Sequence, residues 1–352
     1  MPDWTKSMQQ IFEYQEVDPY TWGDKGRIDS ITSCNIKRDE KTDTLGSASI
    51  ESTSAIGECY VRPYLITIQN HIKERFPLGT FLCQSPRSSY DGKNRSLSID
   101  AYTPLIELKE KYPPIGYSIA ANVNTMESAY RIVRENVRAP VITAKGLHVL
   151  ESPFVSELDD NWFTFTNDLI ARANYHFALD ELSRILFMPN QDFNSMTSTY
   201  EYNDGNSSIL KEAVDIDQDI FGIPNVLEVV FSKDDKVLYS RVENNDPNSP
   251  ISTISRGRQI VQRINNPDGI ADYNQQNLDD YALYSLRDLS TLECTISYTH
   301  GYCPVNIGDC VTLNYRRAGL NNVKAKVVSQ SIKCETGCTV EETAVFTANL
   351  WR

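Results

Sequence analysis

The sequence predicts a mainly β protein with α+β parts, in which two β-rich ends are joined by a mixed α/β middle and one end carries a small helical insertion. Three observations predict this. Short runs of alternating apolar and polar residues recur at both ends, separated by clusters of Gly, Pro, Asn and Asp, as strands and their turns do. Helical spacing is confined to a few segments. The 352 residues are 40% apolar and 10% aromatic, enough for more than one core. The implied division is 1–110 for an N-terminal helix and a first β-barrel, 111–220 for a mixed middle and a polar loop, and 221–352 for a second β-barrel with a helical insertion at 255–290.

Taken in order, Trp4, Met8, Ile11 and Phe12 stand at helical spacing and predict a short amphipathic helix ending before Asp18-Pro19. Strands follow around Ile28 to Ile36, Ala48 to Ser52, Tyr60 to Ile68, Thr80 to Ser85 and Ser96 to Tyr102. Their turns fall at Asp39 to Thr44, Pro77 to Gly79 and Tyr90 to Asn94. Pro63 cannot donate to a ladder, so it predicts an edge or a bulge. In the middle, Asn124-Thr125-Met126-Glu127 predicts a capping box opening a helix with Met126, Tyr130, Val133 and Val137 on one face. A second helix is expected over 167–174, then a hairpin of Tyr175 to Leu179 with Arg184 to Met188. Residues 189–220 read as a long polar loop. The last block predicts strands at Val226 to Phe231 and Val237 to Val242. A helix over Asn277 to Leu289 follows, then strands at Leu292 to Tyr298, Val311 to Tyr315, Val323 to Ile332 and Ala344 to Leu350. No tandem repeat of fixed period is present.

Composition narrows the function classes. The net charge is −13, with 47 acidic against 34 basic residues, and no basic run exceeds two residues. A protein that grips nucleic acid needs a cationic surplus to replace counterions. An acidic surface fits solubility, or a conduit past which phosphates slide. No stretch approaches the ~18–20 apolar residues that span a bilayer, and the N-terminus lacks the pattern of a signal peptide, so synthesis and folding in a cytoplasm are expected.

Several ordered features are similar to those of a known family. Asp18-Pro19-x-x-Trp22 leads into the first strand block, and Phe76-Pro77-Leu78-Gly79-Thr80-Phe81 precedes a strand. Ile223-Pro224-Asn225-Val226 opens another strand. A helix carrying Leu283 to Leu289 runs into a strand and then a Pro304-Val305-Asn306-Ile307-Gly308-Asp309 turn. This order resembles the phage tail and baseplate hub family, which extends to prophages and related injection particles. The resemblance implies two tail-tube-like β-barrel domains per chain and a homotrimer whose ring of six barrels joins the tail tube to the tip or spike. Implied partners are the tube or distal tail protein, a spike, fibre or other tail-tip protein, and the tape-measure protein or DNA in the channel. The implied location is the virion tail, with a role in assembly and genome ejection.

Catalytic chemistry finds little support. The four His are His71, His148, His176 and His300, and no zinc-protease, nucleophile-elbow or phosphate-loop motif occurs. Asp159-Asp160 and Asp279-Asp280 are adjacent in sequence and point apart, as caps or solvated edges do. His176 reads as a hydrogen-bonded strand residue. No catalytic residue is assigned.

The cysteines are the exception. Five of the eight follow residue 290. If the strands there alternate in direction, Cys303, Cys310, Cys334 and Cys338 converge on one barrel end, with His300 close by. Four thiolates suit tetrahedral zinc or a four-cysteine iron–sulfur cluster, and the family resemblance favours the cluster. The alternatives are buried apolar cysteines or a hairpin disulfide between Cys334 and Cys338. Any metal here would be structural. Two other functions compete with the hub: a tail-associated cell-wall hydrolase, for which no room is expected after Arg352, and a receptor- or glycan-binding module using some of the 19 Tyr.

Overall fold

A computed structural model describes residues 2–84, 87–90, 92, 95–192, 195–205, 208–233, 236–267 and 274–351. Asp91, Lys93 and Asn94 of the expected turn, and 268–273 of the expected insertion, lie outside the described residues. Two compact units form, Met1–Val214 with Ser297–Ala344, and Asp215–Ile296 with Val345–Arg352.

In chain order the elements are β1 (Gln9–Val17), β2 (Asp24–Arg27), β3 (Ile31–Asp39), β4 (Gly46–Ser52), β5 (Tyr60–Gln69), β6 (Ile72–Pro77), β7 (Phe81–Cys83), β8 (Arg87–Tyr90) and β9 (Arg95–Tyr102). The mixed stretch holds α1 (Ile106–Lys109), β10 (Ser118–Ile119), α2 (Thr125–Asn136), β11 (Phe154–Val155), α3 (Trp162–Arg172) and the hairpin β12 (Tyr175–Leu179) with β13 (Ile185–Pro189). Next come β14 (Tyr200–Asn203), β15 (Leu210–Asp217), β16 (Val226–Lys233), β17 (Lys236–Glu243), α4 (Thr253–Arg256), β18 (Val261–Asn265) and α5 (Gln275–Leu289). The chain closes with β19 (Thr291–Gly301), β20 (Cys310–Asn314), β21 (Val323–Lys333) and β22 (Thr339–Asn349). The protein is therefore mainly β, as expected.

Four local expectations change, three through tertiary pairing and one through a helix cap. Residues Trp4 to Tyr14 do not form a helix. Gln9–Val17 pairs rung by rung, antiparallel, with Ile68 to Tyr60 of β5 and buries Tyr14 and Val17. The spacing that suggested a helix instead places Trp4 edge-on against Phe76 and Tyr302, with ring centroids 5.1 and 5.3 Å apart. The second helix begins at Trp162, ahead of Asn167. Asn161 caps it, accepting from the Thr164 N–H while the Thr164 hydroxyl accepts from the Asn161 N–H, a capping box built on Thr. The 189–220 loop contains β14 and β15. β14 pairs in parallel with β20, a partner more than a hundred residues away that local polarity could not reveal. The 255–290 insertion contains a strand as well as helices, since β18 pairs in parallel with β16.

The domain division also needs correction. β16, β17 and β18 form a sheet of their own, on which α5 lays Leu278, Ala282 and Leu286 against Leu227 and Val229. Residues 297–344 instead group with the N-terminal strands. β21 is the reason: its first half pairs with β20 and its second half pairs with β3, Lys333 opposite Asn35 and Ser329 opposite Asp39. Both strand runs thus enter one 15-stranded sheet.

Pro63 lies inside β5. β5 pairs with β7 over Tyr60 and Val61 and with β6 from Tyr64 onward. The Pro63 carbonyl accepts from the Leu78 N–H on that side. The imide nitrogen faces the same way and has no proton to give, and the Leu78 carbonyl opposite it accepts from the Arg38 guanidinium instead.

The Asp18 to Trp22 and Phe76 to Phe81 segments meet at one turn. Asp18 folds its own loop by accepting from the Tyr20 and Thr21 amides, which turns Trp22 inward at φ 58°. Trp22 Nε1 and Thr80 Oγ1 both donate to the Leu182 carbonyl at 2.9 Å, and the Thr80 N–H donates to Ser183 Oγ at 2.7 Å. Gly79 is required there: at φ 120°, a Cβ would stand 2.8 Å from the Phe81 ring. Buried Arg62 completes the joint through Thr80 Oγ1, the Trp22 carbonyl and Asp24.

Candidate functional site

Strict alternation along β19 turns Leu292, Cys294, Ile296, Tyr298 and His300 to the interior. The same period along β22 buries Val340, Glu342 and Ala344, and along β21 it buries Gln330 and Ile332. The polar members of these rows meet. Glu342 is 1% exposed and His300 is fully buried, with His300 Nε2 3.4 Å from Glu342 Oε2. Gln330 Nε2 donates to Glu342 Oε2 at 2.6 Å, and the Tyr298 hydroxyl donates to Glu342 Oε1. Tyr202, brought in by β14, sets its hydroxyl 3.2 Å from His300 Nε2, 3.3 Å from Cys303 Sγ and 3.4 Å from Glu342 Oε1. Gln330 extends the network outward, because its Oε1 accepts from Arg38, whose guanidinium also reaches Asn306 Oδ1 and the Leu78 carbonyl.

Burial disfavours the imidazolium of His300, but hydrogen bonds to Cys303 and Glu342 and the Glu342 charge outweigh it and raise its pKa to about 10. Burial and then the Glu342 charge push the Tyr202 and Tyr298 phenols well above their usual range. A thiol, an imidazole and a carboxylate in contact would read as a nucleophile, base and orienting group if a substrate could reach them. Here Cys303 is 2% exposed and its partners less, so the arrangement serves as a paired, hydrogen-bonded polar core.

The four-cysteine site is not formed. Residues 302–309 are not a loop at one barrel end; they run along β21, from the Tyr302 N–H on the Cys338 carbonyl to the Val327 N–H on the Asp309 carbonyl. That path carries Cys310 to a position opposite Lys326, while Cys334 follows the far end of β21, on the order of 25 Å away at about 3.4 Å per residue. Cys303 joins His300 and Tyr202, Cys334 hydrogen-bonds Cys34, and Cys338 lies in the same apolar cluster as both. Among the described residues no three His, Cys, Asp or Glu side chains stand where they could share a metal ion, so the residues do not fit tetrahedral zinc or a cluster. Glu342, Tyr202 and Gln330 were missed by sequence reasoning. The one available signal was a carboxylate at an inward position of an alternating strand, which demands a buried partner.

The remaining candidates are local. His176 Nδ1 pairs with Asn190 Oδ1 at 2.7 Å, and His148 Nδ1 with Thr125 Oγ1 at 2.8 Å. Asp160 accepts from the Glu157 amide and the Thr164 hydroxyl; Asp279 accepts from Ser240 and Gln275, and Asp280 from Gln276. A cleft of about 450 Å³ opens between the β12–β13 hairpin and the Asn306 to Asp309 turn, with Leu186 and Met188 on its wall and Asp180, Glu181 and Lys326 at its rim. No helix among the described residues is long and apolar enough to cross a membrane.

No protein-family model matches the chain, and no curated protein matches it. The fold is nevertheless that of phage and prophage tail proteins, and it is shared with type VI secretion components. A tail protein from Neisseria meningitidis MC58 aligns over 97% of this chain and 98% of its own, at 12% identity and a TM-score of 0.60. The 43 kDa tail protein of prophage MuSo2 from Shewanella oneidensis aligns over 95% and 98%, at 12% identity and a TM-score of 0.57. The E. coli c3393 protein, a type VI secretion component described as structurally similar to T4 tail proteins gp27 and gp5, aligns over 92% and 75%, at 10% identity and a TM-score of 0.50.

Proposed function

We propose that this chain is a structural hub of a phage-type tail, assembling as a homotrimeric ring that joins the tail tube to the tip or spike and lines the channel used in genome ejection. The end-to-end likeness to tail proteins, 97% of this chain on 98% of the Neisseria protein, carries the reading. Two further features support it. The net charge of −13 suits a wall past which a polyanion moves. The thiol, imidazole and carboxylate that come together are closed to solvent, as in a scaffold. The partners are then the tube or distal tail protein on one face, a spike, fibre or other tip protein on the other, and tape-measure protein or DNA within. Its place is the virion tail.

Light scattering of the purified chain with negative-stain imaging tests the reading. Three chain masses and a three-fold ring are expected. A particle that stays monomeric across the micromolar range, or that releases fragments from peptidoglycan, would overturn it in favour of a hydrolase or a separate binding module.

A further inference from the structure

Two pairs of cysteines stand opposite one another on neighbouring antiparallel segments. In the register that sets Tyr60 against Leu82 and Val61 against Phe81, the next rung is Cys59 with Cys83, and the Cys83 N–H donates to the Cys59 carbonyl at 2.9 Å. In the register that sets Lys333 against Asn35, the next rung is Cys34 with Cys334, and the Cys334 N–H donates to the Cys34 carbonyl at 3.0 Å. In each pair the thiols hydrogen-bond one another, and all four are free. Hydrogen-bonded opposite residues have Cα atoms about 5.5 Å apart, inside the roughly 4.4–6.8 Å that a disulfide spans.

Access separates the pairs. Cys34, Cys334 and Cys83 are all buried, whereas Cys59 is half-buried. Cys59 packs at the margin of the apolar cluster that buries Cys83, so one sulfur of the pair meets solvent and the other does not. The hydrogen bond from Cys83 lowers the Cys59 pKa against burial and the charge of Glu16, with a smaller contribution from Lys25, while the same bond and burial push Cys83 up. An external reagent can meet only the half-exposed sulfur of Cys59, and buried Cys83 can act only on the product of that first step.

We propose that Cys59 and Cys83 form a thiol–disulfide exchange site for small-molecule disulfides, with Cys59 as the attacking thiolate and Cys83 as the resolving thiol. Cys59 Sγ bonds to one sulfur of the reagent, whose S–S bond breaks and releases one thiolate. Cys83 gives its proton to that leaving thiolate and attacks Cys59 Sγ. The mixed disulfide breaks, a second thiolate leaves, and a bridge joins Cys59 to β7. The two protein thiols are oxidised, and the external disulfide is reduced to two thiols. The Cys34–Cys334 pair, with the same register and no exposed member, is the internal control and stays reduced in the folded chain.

The chromogenic disulfide of thionitrobenzoate, applied to the folded full chain, tests this. A fast phase releasing two thionitrobenzoate equivalents per chain is expected, with none retained on the protein. Non-reducing peptide mapping of that product should recover a Cys59–Cys83 link and unlinked Cys34 and Cys334. Cys59→Ser should lose the fast phase, and Cys83→Ser should release one equivalent and keep one bound. Label retained on the unsubstituted chain, a link at other cysteines, or a fast phase that survives Cys59→Ser would each overturn the assignment. The mapping needs no variant, so it decides the matter even if a substitution impairs folding. Failure here leaves the oligomer measurement untouched.

Discussion

The interiors built by the N-terminal and the C-terminal strands differ in the polar groups they enclose. Behind β3, β4, β5 and β9 lie Cys34, Ile36, Ile50, Leu65 and Ile99, each at most 1% exposed. Behind β19, β21 and β22 lie Tyr298, His300, Gln330 and Glu342. β21 serves both, with Ile332 in the apolar cluster and Gln330, two residues earlier on the same face, in the polar one. Apolar burial is non-directional and tolerates repacking. A closed hydrogen-bond network is satisfied in one register only, so the C-terminal strands gain uniqueness of pairing where the N-terminal ones gain area.

Removing one group from each interior gives the largest test of this contrast. Glu342→Ala leaves His300, Tyr298 and Gln330 without their common acceptor and should cost about 3–5 kcal/mol, as breaking a buried pair does. Leu65→Ala should cost about 2–5 kcal/mol through lost burial and a cavity. Denaturant unfolding of both variants measures this. The informative result is their difference under rescue: Glu342→Gln should recover only part of the loss, because an amide cannot pair with the imidazolium, whereas Leu65→Met should recover most of its own. Equal recovery would mean that the polar interior is held by shape alone.

The pH dependence sharpens the same comparison. The His300 pKa is raised to about 10 in the folded chain from 6.5. Its stabilising contribution is therefore complete below pH 6.5 and is lost as pH rises towards 10, since the folded state holds a proton that the unfolded state releases. The parent and Leu65→Ala should share that falling slope, and Glu342→Gln should flatten it. Unfolding midpoints between about pH 6 and 8 measure it, below the range in which most unfolded thiols and tyrosines ionise, and the difference between the parent and Glu342→Gln isolates the His300 share. A parent chain whose stability stays level or rises over that window would contradict the His300–Glu342 pairing.

The two interiors also differ in how far the sequence disclosed them. The alternation of Leu292, Cys294, Ile296 and Tyr298 is legible because a strand's period is two residues whatever its partner is, and it leads directly to His300. The helix cap at Asn124, the hairpin at Tyr175 and the five N-terminal strand positions are legible for the same reason, each being decided within a few residues. Nothing local states that Tyr202 lies beside Cys303, because β14 is polar, short and paired with a strand more than a hundred residues later. The convergence of four thiols failed on one assumption, that residues 302–309 stay at the end of a strand; they run along β21 instead. The first residues failed differently: Trp4, Met8, Ile11 and Phe12 satisfy a helical period, and only the pairing of β1 with β5 overrides it.

The smallest expected effect lies inside the polar network and asks which tyrosine holds it. The Tyr298 hydroxyl donates to the Glu342 carboxylate, a charge-assisted bond. The Tyr202 hydroxyl has one proton to share among contacts at 3.2, 3.3 and 3.4 Å, to an imidazole, a thiol that is only a weak partner, and a carboxylate at the longest of the three distances. Tyr298→Phe should therefore cost about 1.5–3 kcal/mol and Tyr202→Phe about 1 kcal/mol or less, since each substitution keeps the ring and removes only the oxygen. Both rings pack at 5.3 Å in a T-shaped contact that the phenylalanines preserve, so the difference reports on the hydroxyls. If Tyr202→Phe proved the costlier, the bond to Cys303 or His300 would be the stronger one, and the centre of the network would shift from the carboxylate to the imidazole.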